Sequence, residues 1–228
     1  MSQIIFGIDY SMTCPAMCML NPESPKFSDC AVFFLTKVKS HARQWGDNIY
    51  GTLTPDHQSE VERYYNLGNT FLKTILLVRE NGYEPVVFIE GYSMHSQGRV
   101  FAIAENQGFL KCMLWANNIP FYSVAPTTIK KYATGMGNAD KNMMYAAFLG
   151  EGNPALDEEI FPDRKPGPVK SPVTDIVDGY FIAKWGFHHG LRTAAIANTS
   201  ATTGTTNQVE STEAESGEAG TEVPQAEV

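Results

Sequence analysis

Two apolar runs in this chain each end on a carboxylate, and this feature constrains the fold more than any other. Residues 4–8 are apolar or glycine and are followed by Asp9, and the apolar residues 86–89 are followed by Glu90. Short runs of this kind, rich in β-branched and aromatic side chains, predict buried strands. A carboxylate in apolar surroundings needs a cation or hydrogen bonds to offset its desolvation. The two strand ends therefore indicate a charged site.

A second pair of carboxylates lies far along the chain, in the predicted helix 173–187. Asp175 and Asp178 are three residues apart, so both project from one face of that helix. In open α/β sheets, sites form beyond the carboxyl ends of the strands, and four acids can converge there. Each acid alone also fits a helix cap, a turn or a solvated helix face. The combination of all four is what favours a common site.

The remaining periodicity predicts an α/β fold with a mixed five-stranded sheet flanked by helices. The predicted strands are 3–9, 15–20, 30–36, 85–90 and 120–124. The first predicted helix is capped by Thr54, has Pro55 in its first turn and runs to about residue 82. The other predicted helices are 99–117, 126–133, 139–149 and 173–187. Residues 37–53 are expected to be irregular, and residues 150–172, with five prolines, to form a loop.

The C-terminal segment 191–228 differs in composition from the rest of the chain. It is rich in Thr, Ala, Glu, Ser and Gly, and it contains six Glu, no Asp and one Arg. Such a segment buries too little apolar surface to order itself, so a disordered acidic tail is predicted after a folded domain at 1–190. The formal charge of the whole chain is −8. Without the tail the chain has 16 basic and 19 acidic residues, and this near balance does not exclude a DNA partner.

The chain is also expected to be cytoplasmic. It has no apolar run of 18 residues, so no membrane partner is predicted, and its first three residues lack the basic region of a signal peptide. Its four cysteines form no CxxC pair and no zinc spacing, which is typical of free thiols in a reducing compartment. His188 and His189 are interpreted as a helix end rather than a metal site.

Oxygen-only ligation by four carboxylates suits Mg²⁺, with Mn²⁺ as a substitute, rather than zinc. Two such ions about 4 Å apart can clamp a phosphodiester, one activating water and the other stabilising the leaving oxygen. One or two carboxylates would not hold two divalent ions against their mutual repulsion. The pattern therefore predicts two Mg²⁺ ions per site.

Four segments together resemble the motifs of RuvC-type Holliday junction resolvases, a family with a ribonuclease H-like fold. The segments are Gly7-Ile8-Asp9, Phe88-Ile89-Glu90, Asp175-Ile176-Val177-Asp178-Gly179 and residues 129–141. The resemblance spans residues 3–187 in the family's order and suggests a divergent, phage-like member, so the expected location is a bacterial or phage-infected cell. It implies a ribonuclease H-like sheet, in which the strands ending at Asp9 and Glu90 are adjacent and parallel.

The same resemblance implies roles for individual residues. Asp9, Glu90, Asp175 and Asp178 would bind the metals and carry catalysis together with Lys141. Lys130 and Lys141 match the family's basic residues near the scissile phosphate. Lys131, Tyr92 and Arg99 are also expected to bind the substrate, although the resemblance does not assign them. The alternative for the lysines is a solvated helix face.

Two positions depart from the family pattern. Tyr10-Ser11 follow the first aspartate, where the family commonly has Pro-Gly. Ser93 stands where the family has a junction-wedging aromatic residue, and Tyr92 lies one step away. Tyr92 either stacks on a base or packs against the sheet, so the selectivity for junctions stays open.

These observations predict a Mg²⁺-dependent endonuclease that resolves four-way DNA junctions by paired phosphodiester hydrolysis. A homodimer is expected through helix 99–117, which is apolar on more than one face, because two symmetric cuts need two equivalent sites. Contacts to DNA phosphates are expected from Lys37, Lys39, Arg43, Arg99, Lys130, Lys131 and Lys141. The alternatives are a nuclease for flaps and forks, and a non-catalytic DNA- or partner-binding module on the same fold.

Overall fold

The strands pair into one mixed sheet in the computed structural model, which describes residues 2–92, 100–163 and 167–190. The strands are β1 (Gln3–Asp9), β2 (Ala16–Leu20), β3 (Ala31–Thr36), β4 (Gln44–Trp45), β5 (Ile49–Leu53), β6 (Glu84–Glu90) and β7 (Phe121–Val124). The helices are α1 (Glu60–Glu80), α2 (Val100–Ala116), α3 (Pro126–Thr134), α4 (Lys141–Gly150), α5 (Leu156–Ile160) and α6 (Val173–Trp185). Short 3₁₀ turns cover Phe27–Asp29 and Lys39–His41, and a π-helical turn covers Gly186–Gly190.

The strand order is β4-β5-β3-β2-β1-β6-β7. Strand β2 is antiparallel to both β1 and β3, whereas β6 is parallel to β1 and to β7. The five predicted strands form the continuous run β3-β2-β1-β6-β7, so the predicted α/β fold with a mixed sheet and flanking helices is confirmed. The predicted number of strands is wrong, because the described residues form seven.

The two additional strands come from the segment 37–53, which had been expected to be irregular. Strand β5 pairs in parallel with β3, and β4 pairs antiparallel to β5. Trp45 and Ile49 are buried, and Tyr50 stacks on Phe33 with ring centroids 5.3 Å apart. Gly51 interrupts the apolar alternation because the backbone passes close to it: a Cβ there would lie 2.0 Å from the His41 carbonyl oxygen. Because Gly51 interrupts the alternation, the sequence of β5 lacks the period-two apolar pattern that predicts a strand.

Helix α1 begins later than predicted. Ser59, not Thr54, caps it, and the Ser59 hydroxyl accepts a hydrogen bond from the Glu62 backbone N–H at 3.1 Å. The Glu62 carboxylate in turn accepts one from the Gln58 backbone N–H, so the segment uses a Ser-x-x-Glu capping arrangement. Thr54 is instead tied to the sheet, because its N–H donates to the Thr36 carbonyl.

Part of the segment 150–172 is helical rather than loop-like. Leu156 and Ile160 of α5 are buried, and the backbone N–H of Asp157 donates to the Tyr145 hydroxyl. The prolines of this segment flank or follow the short helix without interrupting it. The two buried side chains, four residues apart, hold this short helix against the core.

Helices cover both faces of the sheet and enclose two cores. On one face, α1 and α2 bury Leu67, Phe71, Leu110 and Leu114. On the other face, α3 to α6 bury a set that includes Ile129, Phe148, Ile160, Ile176 and Phe181. Strand β1 serves both cores, because its side chains alternate between the two faces.

The contact between α6 and β1 is close enough to exclude any side chain at Gly7. A Cβ on Gly7 would lie 2.1 Å from the Ala183 backbone nitrogen and 2.3 Å from the Gly179 carbonyl oxygen. The backbone of α6 therefore rests directly on β1. This contact fixes the start of α6, with Asp175 and Asp178, near the carboxyl end of β1.

The predicted tail 191–228 lies outside the described residues, so the division into 1–190 and an acidic tail stays a prediction. Among the described helices, none combines the length and the hydrophobicity needed to cross a membrane.

Replacing Gly7 with alanine is expected to destabilise the protein by at least about 3 kcal/mol, because the new methyl group meets backbone atoms that cannot rotate away. Gly150→Ala is the matched control. Gly150 ends α4, and a Cβ added there would meet nothing within 4 Å, so that change should leave stability equal or up to about 1 kcal/mol higher. Urea unfolding of the two variants measures the difference, and equal midpoints would contradict the tight crossing.

Candidate active site

Asp9 and Glu90 lie side by side at the carboxyl ends of neighbouring parallel strands. The register pairs Ile8 with Ile89, one residue before each acid. Ile8 and Ile89 both point into the α1/α2 core. Since side chains alternate along a strand, Asp9 and Glu90 both point to the opposite face, where α6 lies.

Helix α6 supplies the second pair of acids to the same place. Asp175 is buried, with 4% of its surface exposed, and Asp9 is 9% exposed. The two carboxyl groups lie close enough to interact electrostatically, and the Ser171 hydroxyl donates a hydrogen bond to Asp175. Asp178 is partly buried one turn further on. Four carboxylates from three distant segments are thus gathered at one edge of the sheet.

Crowding of these acids changes their protonation. Burial raises the pKa of Asp9 well above its usual value, and the nearby charges of Asp175, Glu90 and Asp178 raise it further. Burial, followed by the charge of Glu90, raises the pKa of Asp178 to about 8. Buried like charges destabilise one another, so without a cation the cluster holds protons at neutral pH.

Glu90 and Asp175 are less strongly affected because cations and hydrogen bonds offset their burial. Burial raises the pKa of Glu90 to about 6, against the opposing charges of Lys130 and Lys141. Burial also raises the pKa of Asp175, while the Ser171 hydrogen bond and the charge of Lys141 oppose it.

Two of the predicted basic residues face this cluster. Lys141 acts electrostatically on all four acids, and its ammonium group donates to the Thr174 hydroxyl at 3.3 Å. It stands at the start of α4, directly after Asp140, which caps the helix by accepting from the Met143 N–H. Lys130 of α3 acts on Glu90 and Asp178. The two lysines therefore approach the acids from two different helices.

The other predicted substrate-binding residues lie elsewhere. Lys131 lines a cavity of about 390 Å³ with Tyr132 and Trp185, instead of facing the acids. Tyr92 is 41% exposed, two residues after Glu90, and it is not packed into the sheet. Arg99 and the position of the expected wedge, Ser93, lie outside the described residues.

Several neighbours of the acids were not identified from the sequence. Ser171 and Thr174 hold Asp175 and Lys141, respectively. The Gln107 side chain donates to the Glu90 carbonyl at 2.8 Å and so fixes the end of β6 from α2. Cys14 lies against Asp175 and Ser171, and burial raises the pKa of its thiol to about 12. Only Ser171, one helical turn before Asp175, has a spacing that could have suggested its role.

The donors at this site fit a hard divalent cation in kind, since all four are carboxylates and a cation would relieve their mutual repulsion. Among the described residues, however, no three His, Cys, Asp or Glu side chains are arranged to hold one metal ion as they stand. The Ser171 hydroxyl also occupies one oxygen of Asp175 that a cation would need. Binding would therefore require at least one of these carboxylates to rotate.

The protonated cluster makes a prediction about stability. A raised pKa in the folded state means that Asp178 binds its proton more tightly when folded, so stability falls as pH rises from about 4 to about 8. Asp178→Asn removes this effect. In EDTA, the variant should exceed the wild type at pH 8 by at least about 1 kcal/mol, the value of one pKa unit, and match it near pH 4.

Urea unfolding at the two pH values tests this, with Asp47→Asn as the control. Asp47 is exposed in the turn between β4 and β5, so its replacement should give the same small change at both pH values. An Asp178→Asn variant that is no more stable than the wild type at pH 8 would contradict the electrostatic account.

Comparison with known proteins gives a match in structure only. No family model and no curated protein matches the chain. The chain is similar to the structure of Thermus thermophilus RuvC, with a TM-score of 0.47 and 15% identity over 82% of this chain and 97% of that one. It is also similar to T. thermophilus RuvC in complex with a Holliday junction substrate, with a TM-score of 0.49 and 15% identity over 85% of this chain and 96% of that one.

Proposed function

We propose that the protein is a metal-dependent DNA endonuclease that resolves four-way junctions by paired phosphodiester hydrolysis. The observation that carries the proposal is the gathering of Asp9, Glu90, Asp175 and Asp178 at one sheet edge, with Lys141 acting on all four. A buried group of acids has no structural benefit, because each raises the free energy of its neighbours. Clusters of strongly shifted pKa values of this kind are typical of functional sites.

The four carboxylates would hold two Mg²⁺ ions, with Mn²⁺ as a substitute. When bound, the ions supply an activated water and stabilise the charge on the leaving oxygen. The protein's own residues prepare the site for them. Ser171 orients Asp175, Gln107 fixes the end of β6 at Glu90, and the α6–β1 contact sets the distance between the two pairs of acids.

Lys141 and Lys130 would bind the phosphate that is cut. A phosphodiester is repelled by uncompensated carboxylates, so it can approach this edge only where cations face it. Lys141 is exposed, and within the described part of the chain its ammonium group has one hydrogen-bond partner, the Thr174 hydroxyl, which leaves further donors for a phosphate oxygen. Lys130 stands on the Glu90 side of the cluster, so the two lysines can hold the phosphate from two directions.

The choice of four-way junctions rests on the motif resemblance and on a surface suited to a two-fold dimer. Helix α2 buries Leu110 and Leu114 on one side, whereas Phe101 and Trp115 are 83% and 75% exposed on the other. Large apolar side chains exposed along one helix face are typical of an interaction surface. A homodimer through α2 would present two equivalent sites to the two strands of a junction.

Cleavage of a synthetic four-way junction in Mg²⁺ is the direct test of this function. The wild type should cut two strands at symmetric positions, and Asp178→Asn should lose at least about a hundredfold in rate while it still binds the junction, because a ligand carboxylate is removed but the lysines remain. Rates on junction, flap, fork and linear duplex separate a junction resolvase from a broader debranching nuclease.

The matched control is again Asp47→Asn, which makes the same chemical change at an exposed turn and should retain the wild-type rate. Junction binding without cleavage by the wild type in either Mg²⁺ or Mn²⁺ would favour the non-catalytic module. Unchanged cleavage by Asp178→Asn would remove this residue from the site.

The homodimer is tested by Trp115→Glu, which places a charge in the exposed α2 surface. We expect the wild type to sediment as a dimer at micromolar concentration and the variant as a monomer, because an unpaired buried charge strongly opposes association. Tyr83→Glu, at an aromatic side chain that is 42% exposed at the amino end of β6, should remain dimeric. A monomeric wild type, or a dimeric Trp115→Glu variant, would exclude this interface.

A further inference from the structure

A second concentration of positive charge surrounds a cavity that lies beside the carboxylates but does not contain them. The cavity has a volume of about 740 Å³ and lies between the Lys39–His41 turn with β4 on one side and the end of α5 with Lys170 on the other. We call it the Lys39–Lys170 pocket. Its volume exceeds that of a bare phosphate ion and is in the range of small-ligand sites.

Three cations and one acid line this pocket. Lys39, Arg43 and Lys170 oppose Asp163, which leaves a formal excess of two positive charges. None of the three cations has a carboxylate within ion-pair distance in the part of the chain that the structure describes. Exposed cations that converge without a protein partner are suited to bind an anion.

The apolar wall of the pocket holds one cation in place. The Arg43 guanidinium lies over the buried Trp45 ring, 3.9 Å from its centroid. The Trp45 indole N–H donates to the His41 carbonyl at 3.1 Å, and the His41 ring packs edge-on against Phe161. An arginine stacked in this way presents its remaining N–H groups in a fixed direction, which favours a planar or branched oxyanion such as a phosphodiester.

The pocket is physically joined to the candidate active site. Lys170 directly precedes Ser171, which holds Asp175, and the Lys170 carbonyl accepts from the Thr174 N–H. On the other wall, β3 and β5 end at the same edge of the sheet as Asp9. Among the pocket residues, Trp45 belongs to β4, which is four strands from β1, or about 19 Å at ordinary strand spacing.

A single DNA arm can span this distance. Phosphates on one strand of a duplex follow one another at about 3.4 Å along the helix axis while they wind around it, so about 19 Å corresponds to roughly three to five phosphates. We propose that the Lys39–Lys170 pocket binds a backbone phosphate of the DNA substrate roughly three to five nucleotides from the bond that is cut. The inference rests on the proposed nuclease function and assigns a role to the segment that contains β4 and β5.

The test compares two double variants for junction binding in an Asp178→Asn background, which keeps the DNA uncut. Lys39→Gln with Lys170→Gln removes two exposed pocket cations and leaves the Arg43–Trp45 stack intact. Lys26→Gln with Lys73→Gln makes the same charge change at exposed positions in the β2–β3 connection and on α1. The pocket variant should bind roughly tenfold more weakly at 0.1 M salt, with the slope of log K against log salt reduced by about 1 to 2, whereas the control variant should match the parent.

A scan with single methylphosphonates, which remove the charge of one phosphate at a time, locates the contact. Neutralising one or two positions roughly three to five nucleotides from the cut should weaken binding by the parent but not by the pocket variant. The pocket proposal would be overturned if the parent and the pocket variant bound the junction with equal affinity and equal salt slope. It would also be overturned if a methylphosphonate weakened binding equally at every position. In either case, cleavage by the wild type would still support the proposed function. Loss of inorganic phosphate or deoxynucleotide binding with unchanged DNA affinity would also overturn it, by identifying a small-anion site.

If the protein with Asp178 intact neither binds nor cuts a junction, the proposed function fails and the pocket proposal fails with it. The two failures are therefore distinguishable. Failure of the proposed function abolishes DNA binding by the Lys26→Gln, Lys73→Gln control variant, whereas failure of the pocket proposal alone leaves that binding intact.

Discussion

The direct contact of α6 with β1 determines most of what this fold can do. Gly7 lets the helix backbone lie against the strand, with no room for even a methyl group between them. Because α6 crosses there, its first turn reaches the carboxyl ends of β1 and β6. Without that contact, Asp175 and Asp178 would stand a side chain further from Asp9 and Glu90. The position of the site thus follows from a missing Cβ atom.

The resulting cluster is unfavourable in the isolated protein, and its protonation reflects this. Asp178, with a pKa of about 8, and Asp9, with a pKa well above its usual value, retain protons that an exposed carboxylate would have lost. Lys141 and Lys130 oppose this effect without removing it. The same repulsion favours the binding of divalent cations, because an ion that displaces these protons relieves the strain between the acids. The acids that the proposed chemistry needs therefore lower the stability of the folded protein.

The sequence was sufficient for the features that depend on local pattern. Apolar runs ending at Asp9 and Glu90 predicted the two central strands, and the helical spacing of Asp175 and Asp178 predicted their common face. Prediction failed where non-local contacts decide. Gly51 breaks the apolar pattern of β5 because the His41 carbonyl packs against it. Thr54 is not the predicted helix cap, because its N–H donates to the Thr36 carbonyl in the sheet. Ser171 and Thr174 could not be linked to Asp175 and Lys141 until the chain was folded.

Net charge misrepresents the surface that matters for a nucleic-acid partner. The chain carries −8 overall, yet four of its acids are withdrawn into the cluster and six more lie in the segment after residue 190. Five cations lie toward the carboxyl edge of the sheet, where Lys130 and Lys141 face the acids and Lys39, Arg43 and Lys170 line the neighbouring pocket. Fields close to a surface depend on the charges within about a Debye length, roughly 10 Å at 0.1 M salt. A DNA strand at this edge therefore meets these five cations at close range, although the protein as a whole is acidic.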